Sequence, residues 1–217
     1  MRAVFSRTWI APPVSVYAAS WMLTQLNLET RLHHSEVDAD QLKVLELPDA
    51  ARYREFMIRS YGFEASIESA LAMTPNLDRV VDLRDRAKAG LIAADLLALG
   101  VRPQELSKVP LCPWIETFDN IADALGWLYV VERKTLLHSA MLRHLVVRIP
   151  QVMATASSYL GCYDRTAGTR WRDLGSAFDR FATPEIADQV VTAAHHAFWC
   201  QRDWFRHRER GTRRAAG

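Results

Sequence analysis

The chain has 217 residues, a formal net charge of +2 and 49% hydrophobic residues. That length suits one domain or two small ones, and the apolar content is enough for a sizeable core, which excludes global disorder. The near-balanced charge gives no electrostatic footprint for nucleic acid or an acidic membrane, and no uninterrupted apolar run of about 18 residues is available for a membrane span.

Helical periodicity runs through almost the whole sequence. Met1 to Ser20 carries Arg2 and Arg7 ahead of an apolar stretch, but Pro12 and Pro13 interrupt it, so residues 1–22 read as an irregular N-terminal extension. A stripe of Leu23, Leu26, Thr30, His33 or His34, Val37, Gln41 and Val44 predicts a helix over 22–45. A second helix is expected from Asp49 to Met73. Thr74-Pro75 then suggests a cap and first-turn proline for a helix over 76–99, ended by Gly100. After a short helical turn at 103–109, the longest helix is expected over 115–149, closed by Pro150. Shorter helices follow over 150–161 and 168–182, and Thr183-Pro184-Glu185 opens a last one to about His207. The expected architecture is an all-α single domain over 23–207, with a basic tail at 208–217 read as a solvated terminus.

Cys112, Cys162 and Cys200 are odd in number and far apart, with no CxxC spacing; reduced thiols in a cytoplasmic protein are expected. The seven histidines form no HExxH or deaminase pattern, and GxSxG, Walker and dinucleotide-binding glycine motifs are absent. His195-His196 reads as half surface, half core; without an ExxH partner it does not make a di-iron site. His34, four residues before Asp38 on the same expected helix, is a candidate metal or heme-iron ligand, because a carboxylate at that spacing can fix the ring and raise its basicity.

Thr30-Arg31-x-x-His34-x-x-x-Asp38 resembles the proximal helix of heme oxygenases. Ala124-Leu125-Gly126-Trp127-Leu128-Tyr129-Val130-Val131-Glu132 resembles the start of their distal helix, closest to the bacterial, phytochrome-associated, biliverdin-producing branch. Arg143-His144-Leu145, then Tyr159-Leu160-Gly161-Cys162-Tyr163 and Thr166 to Arg172, and finally Ala193 to Trp204 match later stretches in order, so the resemblance spans roughly residues 24–206. It implies a heme oxygenase-like fold, heme as cofactor with His34 as axial iron ligand and Asp38 as that ring's partner, and Arg170 and Arg172 near the heme propionates. It also implies oxidative cleavage of heme to biliverdin, CO and iron, with electrons from a ferredoxin or flavoprotein donor.

The distal segment departs from the family. Where heme oxygenases read E-G-S-T-L-G-G, this chain reads Glu132-Arg133-Lys134-Thr135-Leu136-Leu137-His138, with Arg133, Leu137 and His138 at the three glycine positions. Leu137 falls on an apolar stripe between Val130 and Met141 and is expected to face inward, at a cost of about 1–3 kcal/mol where neighbours can shift. A straighter distal helix and a smaller or closed heme slot are expected. His138 reads either as a packed helix histidine or as a second axial ligand. Two functions stay open: a heme oxygenase, or a diverged protein that binds heme or another tetrapyrrole without turnover, or binds none and acts through a partner.

Overall fold

The computed structural model describes residues 20–214, with side chains described as far as Arg206. Most of the expected N-terminal extension and the last three residues of the expected basic tail lie outside the described residues. Ser20 caps the first helix, α1 (Trp21–Glu29), by accepting from the Leu23 N–H, and its hydroxyl donates to Asp179 at 2.7 Å. The stripe expected as one helix over 22–45 is broken at Thr30, whose backbone leaves helical geometry at ψ 5° and whose buried hydroxyl bonds back to the Leu26 carbonyl. α2 (Arg31–Leu42) restarts there and tightens into a 3-10 turn at Lys43–Leu45. Asp49 caps α3 (Ala50–Met73), as the sequence predicts.

The expected helix over 76–99 is a correction. Thr74 ends α3 instead of starting a new helix, and Asn76 sits in the left-handed region at φ 59°. Two 3-10 turns, Leu77–Arg79 and Arg84–Arg86, cross over before α4 (Ala89–Ala98) begins. Its start is set by tertiary contact: the Glu68 carboxylate of α3 accepts from the N–H groups of Lys88 and Ala89. Gly100, at φ 81°, closes the helix. α5 (Pro103–Leu106) is a single turn.

The long helix expected over 115–149 is divided. Asn120 caps α6 (Ile121–Lys134), a 3-10 turn occupies Thr135–Leu137, and α7 (His138–Arg148) continues. A 3-10 turn thus interrupts the ladder beside the positions where Arg133, Leu137 and His138 replace glycine. Thr135 makes the break by donating its hydroxyl to the Glu132 carbonyl at 2.7 Å, which competes with the regular ladder. After α8 (Pro150–Met153) and turns through 163 come α9 (Ala167–Phe181) and α10 (Pro184–Arg214); α10 runs past the expected end near His207.

α10 lies along both α6 and α2 and holds the two together. Its approach to α6 depends on Gly126: a Cβ there would stand 2.5 Å from the Val190 carbonyl oxygen and 2.6 Å from Ala193 Cβ. The described residues contain no strand, and none of their helices is long and apolar enough to cross a membrane.

Candidate functional site

The α2 and α6 side chains meet around His34. This ring is half-buried, with its centroid 5.5 Å from that of Phe198 on α10. Its Nε2 is 3.0 Å from Thr30 Oγ1 and 3.4 Å from the Tyr129 hydroxyl. Thr30 Oγ1 lies 2.6 Å from the Leu26 carbonyl oxygen, a separation that needs the hydroxyl proton between the two oxygens. The contact to His34 is therefore filled by a proton on Nε2, a tautomer assigned from the network. Burial, and then the nearby Arg133 charge, lower the His34 pKa from its ordinary 6.5 to about 3, so the ring is neutral at pH 7.

Asp38 does not pair with His34. Its two oxygens accept from the two terminal nitrogens of Arg133 at 2.7 and 2.9 Å. This fork-to-fork bridge ties the proximal-type helix α2 to the end of α6, across the position that the resemblance gives to the heme. Tyr129, buried between Trp171 and Phe198 with ring separations of 5.8 and 6.1 Å, fills the space beside it, and burial raises its hydroxyl to about 12. Only a shallow surface notch lies along α2 and α10 among Val37, Gln41, Gln201 and Phe205, with no enclosed room for a ligand.

The other sequence-predicted residues lie apart from His34. Leu137 is inward and buried, as expected from its stripe. His138 packs edge-on against Tyr159 at 4.5 Å, with Nδ1 3.8 Å from Cys162 Sγ. Burial, reinforced by Lys134 and Lys88, holds this imidazole well below its usual range, while burial raises the Cys162 thiol to about 11. Both partners are neutral, so the pair is not an activated thiolate. Arg170 donates to the Asp85 carbonyl at 2.7 Å and lies over the Tyr163 ring. Arg172 is exposed and bonds within its own helix, to Thr169 Oγ1 at 3.1 Å.

Behind the slot is a charged core that sequence reasoning missed. Glu132 accepts from Arg86 at 2.6 Å, Lys88 at 2.9 Å and Tyr163 at 3.0 Å; Glu64 is 2.6 Å from Lys134 and accepts from Tyr159 at 3.2 Å. Burial works against both charges, yet attraction from Glu132 and Glu64 leaves Lys88 above its ordinary range, and attraction from Lys134 leaves Glu64 below its own. The available signal was Glu132-Arg133-Lys134 itself, three charges at the end of a nearly apolar helix.

This arrangement of helices has a solved counterpart. The fold is heme oxygenase-like. A heme oxygenase from Neisseria meningitidis, solved with NO and CO bound, superposes with a TM-score of 0.68, covering 86% of this chain and 90% of that one at 18% identity. No protein-family model matches the chain, and no curated protein does. The likeness thus establishes the fold, while function is argued from the side chains that stand in the slot.

Heme does not fit those side chains as they stand. Arg133, paired with Asp38, and Tyr129, 3.4 Å from His34 Nε2, occupy the ground between α2 and α6.

Proposed function

We propose that this chain is a heme oxygenase-like protein that has closed its heme slot with its own side chains and serves a binding role without cleaving heme. The Arg133–Asp38 bridge carries this reading. It puts a long cation and its counter-ion where heme oxygenases keep glycine and open space, and it removes Asp38 from His34.

A second reading, a heme-binding protein gated by Arg133, is favoured by one observation: His34 is retained in place and held neutral, as an imidazole ligand must be. The bridge also keeps 13% and 17% of its side-chain surface exposed, against at most 2% for the Lys88–Glu132 pair, so parting it costs less than parting that core pair.

Heme titration followed in the visible region separates the two. The closed reading expects no Soret complex that depends on His34. A His34-dependent complex in the wild-type protein supports the gated reading, and its conversion to biliverdin by a ferredoxin- or flavoprotein-type donor under air sinks the closed one.

A further inference from the structure

Two of the three thiols share a buried site between α10 and the stretch that precedes α6. Cys112 Sγ and Cys200 Sγ are 3.7 Å apart, both within the core, although 88 positions separate them in the chain. Cys200 lies on α10; Cys112 lies in the irregular stretch between α5 and α6. That stretch is pinned to α3: the Cys112 N–H donates to the Gly62 carbonyl at 3.0 Å and to Ser66 Oγ at 3.1 Å. Gly62 permits the approach, since a Cβ there would run into the Pro110 carbonyl oxygen and the Trp204 ring. Trp114 closes the site edge-on against Trp204 at 6.3 Å. Cys112 is thus presented to Cys200 by backbone that is fixed on α3.

We propose that Cys112 and Cys200 are a disulfide-forming pair that peroxide oxidises, linking the 107–120 stretch to α10. A disulfide needs sulfurs about 2.05 Å apart, so the 3.7 Å pair must close by less than about 2 Å. Either thiol can donate across the 3.7 Å contact, which favours a thiolate on whichever sulfur loses its proton first; the step is written for attack by Cys112. The Cys112 thiolate attacks one peroxide oxygen and the O–O bond breaks. The departing hydroxide takes up a proton as water, leaving a sulfenic acid on Cys112. Cys200 Sγ then attacks Cys112 Sγ and displaces the sulfenic oxygen, which leaves as a second water with the Cys200 proton. Two thiols lose two electrons in total, and one peroxide is reduced to two waters. Cys162 takes no part: its neighbour is His138, and burial holds it as a thiol.

The test uses the full chain treated with stoichiometric hydrogen peroxide, quenched, unfolded and assayed for thiols, with peptide mapping under non-reducing conditions. One remaining thiol of three, a Cys112–Cys200 peptide and a mass lower by two hydrogens are expected. Three remaining thiols, a disulfide containing Cys162, an intermolecular disulfide, or sulfinic acid at Cys112 would each overturn the proposal. Cys162→Ser should still form the link and Cys112→Ser should not. If Cys112→Ser fails to fold, the wild-type and Cys162→Ser maps decide the matter by themselves. The linked protein should also show a higher Tm than the reduced one, and dithiothreitol should reverse the gain.

Discussion

The last turn of α6 sends three consecutive charges to two different environments. Glu132 and Lys134 go inward, to partners on α3 and on the approach to α4, and every side chain of the Glu132–Lys88 and Glu64–Lys134 pairs is at most 2% exposed. Arg133 goes outward to Asp38 on α2, where the two side chains are 13% and 17% exposed. The inner network has given up water completely, so each charge depends on its partner. The outer bridge keeps part of its hydration and costs less to part than the inner pairs. The difference separates a fully dehydrated structural core from a more hydrated bridge, which on the proposed reading is what closes the slot.

The largest effect should come from breaking the inner region. Glu132→Ala strands Lys88 and Arg86 without their carboxylate and should cost about 3–5 kcal/mol in urea unfolding. Leu137→Ala, which leaves a cavity beside the 3-10 turn but breaks no ion pair, should cost about 2–4 kcal/mol by the same measurement. A loss from Glu132→Ala no greater than that of an exposed pair would remove the contrast between the two regions.

Arg133→Gly tests the outer region. It should cost less stability than Glu132→Ala, and it should allow heme to give a Soret band that His34→Ala then abolishes. Absence of that band in Arg133→Gly would show that Tyr129 and Leu137 close the slot without the bridge.

The pH dependence of stability sharpens the role of His34. Its folded pKa is about 3 against an ordinary 6.5, so the unfolded chain binds the proton more readily. Stability from this residue is fully present above pH 6.5 and is lost as pH falls from 6.5 towards 3. His34→Leu should flatten that part of the urea-midpoint profile. The smallest effect is expected for Arg172→Ala, within about 0.5 kcal/mol, because the side chain is exposed and bonds only within α9.

Much of the fold was legible because helical spacing and caps are local signals. Asp49 and Gly100 mark true helix ends, while Asn120 caps α6 beyond the start that the sequence suggested near 115. Thr74-Pro75 misled because a Thr can finish a helix by bonding back to the preceding turn, as Thr74 does to the Ala70 carbonyl. The start of α4 was hidden because its cap, Glu68, comes from another helix. In the site, His34 and the lost glycines could be read directly. The partner of Asp38 could not, because Arg133 lies 95 positions away and nothing local says which carboxylate a long cation will reach.

By itself the sequence determined the all-α class, the order of the helices, the inward side of Leu137 and the replacement of three glycines by larger side chains. These follow from periodicity and side-chain volume, which a linear chain carries in full. Only the tertiary structure decided that Asp38 turns from His34 to Arg133, and that Glu132 and Lys134 are neutralised in the core. Those outcomes depend on which groups meet after packing, where a buried charge or hydroxyl takes whatever partner the fold brings within about 3 Å.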